Sequence, residues 1–238
     1  MPLLHSHYVH QTFRGRATGL LTIGGIDTEP KVTEAVEPLT SRALQHLGTE
    51  GTFPEIRSWR SAYSAMALKT TRSRCASKAL LRRLRPEGTR TSLHALFDPH
   101  NVALVAYDLP VSVCDFEIIA EDLTVHRAIG RDVYLTFTCD VEEADLSKVI
   151  FANDDGTIHV LRLPNRQSRK SAVSPETTQA LSVIKALHHG SGAGVQRILE
   201  GLARKISETV GPTASSEFLT SVIAALQTRK DPRKDHVD

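Results

Sequence analysis

The sequence contains few aromatic residues and few cysteines. Aromatic side chains make up 5% of the 238 residues, and the three cysteines, Cys75, Cys114 and Cys139, lie 39 and 25 positions apart. An odd number of cysteines at these spacings predicts neither a disulfide framework nor a Cys-x-x-Cys metal clamp. The cysteine content fits a reducing compartment, and we expect the protein to be cytoplasmic.

Long apolar runs are absent as well. No run approaches the roughly 18 to 20 residues that a membrane span requires, and the first residues do not combine a basic start with a long apolar core. The sequence therefore predicts a soluble, unexported protein. Hydrophobic residues still make up 40% of the chain, which suffices for a packed core in one large domain or two small ones.

Charge is nearly balanced overall but unevenly distributed. Lys and Arg number 29 and Asp and Glu 27, which leaves a formal net charge of +2. Ten basic residues and one acid lie between positions 57 and 90, whereas positions 108 to 145 hold ten acids and two arginines. The basic stripe has the composition of a nucleic-acid-binding surface. The alternative is a solvated helix face whose charge the acidic segment neutralises.

Familiar catalytic and metal-binding motifs are missing. The glycine-rich loop at 190–194 lacks the Lys and Ser or Thr that follow a phosphate-binding loop, so we interpret it as a connection. His5, His7 and His10 have no carboxylate nearby, which favours an unstructured terminus over a metal site. Neither a Gly-x-Ser-x-Gly elbow nor a His-Glu-x-x-His helix occurs. The sequence predicts no metal and no cofactor.

Hydrophobic periodicity predicts helices on both sides of a β-rich middle. Helices are predicted, in order, at 32–47, 54–66, 77–84, 92–107, 174–189, 195–210 and 214–227. Strands are predicted at 18–23, 123–128, 133–137, 149–152 and 158–163. The turn residues Asp155-Gly156 indicate that the last two strands form a hairpin. Ser174, Pro175 and Glu176 have the side chains of a helix start.

Two segments concentrate polar side chains. His94, Asp98 and Asn101 are spaced by four and three residues, so they share one face of a predicted helix. The second segment is the hairpin at 151–168, whose end is rich in donors and acceptors: Arg162, Asn165, Arg166 and Gln167. A solvated helix face and an ordinary polar strand end are the alternatives for the two segments.

Several motifs occur in an informative order. They are Trp59-Arg60-Ser61-Ala62-Tyr63, Ser77 to Leu84, Phe97 to Val102, the apparent turn Leu109 to Asp115, Asn153 to Gly156, and Arg162 to Ser168. In this order they resemble the tRNA-editing domain of the phenylalanyl-tRNA synthetase β chain, the B-three/B-four domain, and particularly its freestanding relatives. The resemblance covers roughly residues 54 to 210. It departs from the family at Ser112, where relatives have His or Gly, so a catalytic histidine is not carried over.

The resemblance implies an α+β fold in which mixed sheets pack against helices. It also implies that the protein binds the aminoacyl end of a charged tRNA and hydrolyses the ester in trans. In that interpretation Asn165 and Arg166 are catalytic, and the substrate contacts are His94, Asp98, Asn101, Ser112, Asp115, Arg162 and Gln167. The expected RNA contacts are Arg72, Arg74, Arg82, Arg83 and Arg85. An aminoacyl ester is already activated, so positioned donors and an oriented water suffice without a covalent nucleophile.

Three regions are expected along the chain. Residues 1–53 form an N-terminal strand and helix packed on the core, 54–211 form the editing-like core, and 212–238 form a helix and a charged tail. Two other functions remain open. One is a non-catalytic module that binds RNA or another ligand, which the Ser112 departure favours. The other is a transferase that passes the aminoacyl group of a charged tRNA to an amine in a biosynthetic pathway.

Overall fold

The structure is a computed structural model, and it describes residues 3–13, 16–26, 54–66, 109–119, 123–161, 163, 166–188, 190–209 and 214–220. Its three described α-helices are α1 (His7–Thr12), α2 (Pro54–Ala65) and α3 (Gly192–Thr209). Its described strands are β1 (Leu3–His5), β2 (Ala17–Ile23), β3 (Val111–Asp115), β4 (Leu123–Arg127), β5 (Val133–Leu135), β6 (Val141–Glu143), β7 (Val149–Ala152), β8 (Thr157–Leu161), β9 (Arg166–Gln167), β10 (Ala180–Ala186) and β11 (Ala214–Thr220). The chain therefore has the predicted α+β fold.

The described strands form two sheets. The first has the order β1-β4-β7-β8-β5-β6, with β9 also paired to β8. It is mixed, because β1 runs parallel to β4 and β5 parallel to β8, while the remaining pairs are antiparallel. The second sheet has the order β11-β2-β10-β3 and is antiparallel throughout.

The main core lies between the two sheets. Phe151 and Val160 of the first sheet join Leu181 and Val183 of β10 in one buried cluster, and α2 adds Trp59 and Tyr63 to it. The other face of the second sheet packs against α3. A smaller cluster covers the opposite face of the first sheet. Among the described residues, no helix is long and apolar enough to cross a membrane.

Local sequence patterns located several elements correctly. The predicted helix from Pro54 is α2, and the helix predicted at 195–210 is α3. The strand predicted at 18–23 is β2, and the hairpin through Asp155-Gly156 joins β7 to β8 as predicted. Gly156 has a φ of 84°, a conformation that glycine adopts without steric cost. The helices predicted at 32–47, 77–84 and 92–107 lie outside the described residues.

Two predicted helices are strands. The segment after Ser174 was predicted as helix to His189, but Ala180–Ala186 is β10 and is buried along its whole length. Such a strand lacks alternation between polar and apolar residues, so its sequence period does not separate it from a buried helix. Ser174 still accepts a hydrogen bond from the Glu176 backbone N–H, but it caps a turn. The segment from Ala214, also predicted as helix, is β11 and pairs with β2 along seven residues.

Two further expectations need correction. The segment from Leu109 to Asp115 was predicted as a turn, but Val111–Asp115 is β3 and pairs with β10 over five residues. The N-terminal histidines were expected in an unstructured segment, but His5 ends β1 and is buried, and His7 and His10 belong to α1. Parallel pairing with β4, which is distant in sequence, holds β1 in place. Sequence patterns cannot show such a distant partner.

Close packing of α3 on β2 leads to the first testable prediction. A Cβ atom added at Gly19 would lie 2.7 Å from Leu199 Cδ1 and 2.8 Å from Val195 Cγ1, so Gly19→Ala requires these side chains or α3 itself to shift. We expect it to lower the free energy of unfolding by about 1–3 kcal/mol in chemical denaturation.

The matched control is Gly201→Ala on α3. No atom lies within 4 Å of its added Cβ, and the helix interior favours alanine by about 0.5–1 kcal/mol. A Gly19→Ala variant as stable as the wild type would show that β2 and α3 are not packed as described.

Candidate functional site

The inner face of the second sheet carries polar side chains into the space between the sheets. Ser112 pairs with Val183, and Lys185 pairs with Thr18 on the other edge of β10. Residues that alternate along a strand share a face, so these positions lie on the same side of the sheet as Leu181, which belongs to the central core. Ser112, Thr18 and Lys185 are all buried. The structure thus places these three buried polar residues on the face that also carries Leu181.

Gln167 connects two of the predicted motifs, the end of the hairpin and the segment from Leu109 to Asp115. Its side-chain Nε2 donates a hydrogen bond to the Val113 carbonyl oxygen on β3 and another, at 3.3 Å, to the Ser171 carbonyl oxygen. Tyr134 in turn donates to the Gln167 carbonyl oxygen at 2.8 Å. The polar end of the hairpin and the segment that contains Ser112 are therefore in direct contact.

Arg166 is engaged by a carboxylate. Its guanidinium donates to the two Glu142 carboxylate oxygens at 3.0 and 3.4 Å and lies 4.9 Å from the centre of the Tyr134 ring. A planar guanidinium binds a carboxylate in this two-pronged way whenever both are in reach. Arg166 must exchange this partner if its side chain is to contact a substrate.

Asp115 is tied into the local structure. One carboxylate oxygen accepts from the Glu117 backbone N–H at 3.0 Å, and the other accepts from the Thr177 hydroxyl. These bonds fix the end of β3 against the turn that precedes β10. The remaining predicted site residues lie outside the described residues: His94, Asp98, Asn101, Arg162, Asn165, Arg72, Arg74, Arg82, Arg83 and Arg85.

A cluster of buried basic side chains lies at the same end of the core. Lys185 Nζ is 3.4 Å from His5 Nε2 and 3.9 Å from the centre of the Phe151 ring. Arg16 NH2 contacts His10 Nδ1, and the His5 and His10 ring centres are 6.0 Å apart. We call Lys185, His5, Arg16 and His10 the basic cluster. No described carboxylate forms an ion pair with Lys185, His5 or Arg16.

Burial and mutual repulsion lower the pKa values of this cluster. Burial has the largest effect on His5, followed by the charges of Lys185, Arg16 and His10, and together they hold its pKa well below the ordinary value. Burial and the charge of Arg16 lower the pKa of Lys185 strongly. Burial lowers the pKa of Arg16 to about 10. Removal from water disfavours a charged amine, guanidinium or imidazole, and neighbouring positive charges add to this effect.

Arg16 has a clear structural role within the basic cluster. Its NH1 group donates to the carbonyl oxygens of Val9, His10 and Phe13 at 3.2, 3.4 and 3.1 Å. These carbonyls lie at the C-terminal end of α1, where a positive charge is favourable. Arg16 therefore joins α1 to the start of β2.

Sequence reasoning missed this cluster. The sequence pattern predicts a helix at Lys185 and an unstructured terminus at His5, and 180 positions separate the two residues. The one available signal was the single lysine within the apolar segment Ala180–Ala186. A charged residue inside an apolar segment is unusual in a protein core unless it is paired or functional.

Cys114 is a buried structural residue. It is 1% exposed, and burial raises the pKa of its thiol to about 12. The thiolate is the nucleophilic form of cysteine, so this side chain does not provide a nucleophile near neutral pH.

Comparisons with known proteins relate the sequence to one family. A family model described as the B3/4 domain matches residues 58–201, which is more than half of the chain. No curated protein matches the sequence. Among solved structures, an N-terminal fragment of the phenylalanyl-tRNA synthetase β-subunit from Pyrococcus horikoshii is similar, with a TM-score of 0.48 and 7% sequence identity. The similarity covers 90% of this chain and 49% of that one, so the chain spans about half the length of that fragment.

The buried basic groups predict how stability depends on pH. His5 and Lys185 bind protons more weakly in the folded state, so the unfolded state holds more protons and the free energy of unfolding rises with pH. This rise ends at the ordinary pKa values, 6.5 for the histidine and 10.5 for the lysine. Lys185→Met should therefore stabilise the protein at pH 7, and this advantage should shrink as the pH approaches 10.5.

The measurement is chemical denaturation at pH values between 6 and 10.5. Lys205→Met is the control, because Lys205 lies on α3 and pairs with Glu208 at 2.8 Å near the surface. That variant should show no comparable gain at pH 7. A Lys185→Met protein that is less stable than the wild type at pH 7 would contradict the prediction.

Proposed function

The chain belongs to the B3/4 domain family, and we propose that it binds the aminoacyl end of a charged tRNA and hydrolyses the aminoacyl ester in trans. The observation that carries the proposal is the contact between Gln167 and the Val113 carbonyl oxygen. It joins two separate motifs in which the sequence resembles tRNA-editing domains. Ser112 and Gln167 accordingly belong to one proposed substrate pocket, together with His94, Asp98, Asn101, Asp115 and Arg162.

The proposed mechanism needs no covalent intermediate. Water attacks the ester carbonyl, donors stabilise the negative charge that develops on the carbonyl oxygen, and the tRNA leaves with a free terminal hydroxyl group. We assign the donor role to Asn165 and Arg166. The high pKa of Cys114 supports a mechanism without a thiolate nucleophile.

The proposed RNA surface is the basic stripe at 57–90, with Arg72, Arg74, Arg82, Arg83 and Arg85 as phosphate contacts. Its support is the net charge of this segment, ten basic residues against one acid. Phosphate contacts of this kind position an RNA without reading its sequence. The deacylation assay, and not the basic stripe, therefore has to identify the tRNA and the amino acid.

The test of the reaction is deacylation of a panel of charged tRNAs. Asn165→Ala and Arg166→Ala should each slow hydrolysis on the order of 100-fold to 1000-fold, because each removes a donor to the oxyanion. Cys114→Ala should leave the rate unchanged. Hydrolysis that stops in Cys114→Ala with the fold intact would point instead to a cysteine nucleophile.

Glu142→Ala is the matched control for Arg166→Ala. Both variants break the ion pair between Arg166 and Glu142, but only Arg166→Ala removes the guanidinium. Equal losses in the two variants would assign Arg166 a structural role. Repeating the assay with candidate acceptor amines separates hydrolysis from transfer, and tRNA binding without turnover would identify a non-catalytic module.

RNA binding should depend on salt through the basic stripe. Reversing Arg82, Arg83 and Arg85 to Glu should weaken tRNA binding and flatten the plot of log affinity against log salt concentration by about two to three units of slope. The control reverses three exposed arginines outside the stripe, Arg131, Arg197 and Arg204, and should change the slope less. Equal slopes for the wild type and the stripe variant would identify the stripe as a solvated surface.

A further inference from the structure

Lys185 and His5 have few hydrogen-bond partners within the part of the chain that the structure describes. Lys185 is 3% exposed, and its Nζ atom lies 3.4 Å from His5 Nε2. In a neutral imidazole whose Nε2 accepts a hydrogen bond, Nδ1 carries the proton. His5 Nδ1 is buried and has no hydrogen-bond partner. Two buried polar nitrogens therefore lie next to each other with few partners among the described residues.

Lys185, His5 and Arg16 also lack a paired carboxylate among the described residues. Arg16 contributes a positive charge behind His5, and its own N–H groups are directed at carbonyl oxygens and at His10. Buried charges in proteins are normally paired with an opposite charge or hydrogen-bonded throughout. No described carboxylate fills that role for Lys185, His5 or Arg16. An anion with several acceptor oxygens would pair with these groups.

We propose that Lys185 and His5, with Arg16 and His10 beside them, form a binding site for a phosphate group. A phosphate offers at least two free oxygens as acceptors and one or two negative charges, which matches several donors and positive groups better than a single carboxylate does. Binding brings negative charge to His5 and Lys185 and therefore favours their protonated forms. Phosphate binding at this site is thus coupled to proton uptake.

The experiment measures thermal unfolding of the full-length protein at pH 7 in sodium phosphate, sodium acetate and sodium chloride at equal ionic strength. A ligand that binds only the folded state raises the midpoint in a saturable way. We expect phosphate to raise the midpoint of the wild type by several degrees above chloride, and acetate to raise it less. Lys185→Met should lose this difference, whereas the surface variant Lys205→Met should keep it.

This comparison separates binding from general salt effects, since exclusion of phosphate from the protein surface acts on all variants alike. Lys185→Arg keeps the positive charge and should retain part of the shift. Equal phosphate shifts in the wild type and Lys185→Met, or no shift in the wild type, would overturn the proposal. Calorimetric titration in buffers of different ionisation enthalpy should show proton uptake on phosphate binding, and an absence of uptake would contradict the coupling.

A second set of ligands shows whether the site binds a free phosphate ion or a phosphate group of an RNA. Inorganic phosphate, adenosine 5′-monophosphate and the trinucleotide CCA are compared by the concentration that gives half of the maximal shift. A lower value for the trinucleotide assigns the site to the end of an RNA, and a lower value for inorganic phosphate assigns it to the free ion. The experiment uses no aminoacyl ester. Its result is therefore independent of whether the protein hydrolyses such an ester.

Discussion

The pairing of β10 on both of its edges is the constraint on which the rest of the structure depends. Seven residues of this strand pair with β2 and five with β3, so it orders the whole second sheet. One face of β10 then supplies Leu181 and Val183 to the central core, and the other supplies Ile184 to the layer beneath α3. The same alternation places Lys185 on the inner face. The strand β10 thus contributes residues to the central core, to the layer beneath α3 and to the candidate site.

The parts of the fold that were predictable are those with local signals. Helix α2 follows a proline start and an apolar period, and the β7–β8 hairpin follows an Asp-Gly turn. The errors include β1, β3, β10 and β11, whose partners are distant in the chain. Ala180–Ala186 is buried on both faces, so its residues satisfy a helical period as readily as a strand. Pairing with remote strands, which the sequence pattern does not contain, decides between the two.

The candidate site likewise has a part that the sequence predicted and a part that it did not. The family resemblance found from the ordered motifs is confirmed by the family model, and of the site residues it implied, Ser112, Asp115, Arg166 and Gln167 are described. Their partners were not predictable: Glu142 holds Arg166, and Gln167 bridges to β3. The basic cluster was missed because His5 and Lys185 meet only after both sheets have formed. The order of the motifs indicated the family. The contacts between charged side chains became visible only in the three-dimensional structure.

Cys114 and Lys185 lie on the same inner face of the second sheet, and burial shifts their pKa values in opposite directions. It raises the pKa of the Cys114 thiol to about 12 and lowers the pKa of the Lys185 ammonium. Both shifts favour the neutral form, because the apolar core stabilises neither a thiolate nor an ammonium ion. A bound anion would affect the charges of the two residues differently. A bound anion would raise the thiol pKa further, whereas it would restore the positive charge of Lys185. Among these two residues, the lysine is therefore the one whose charge can respond to a phosphate bound between the sheets.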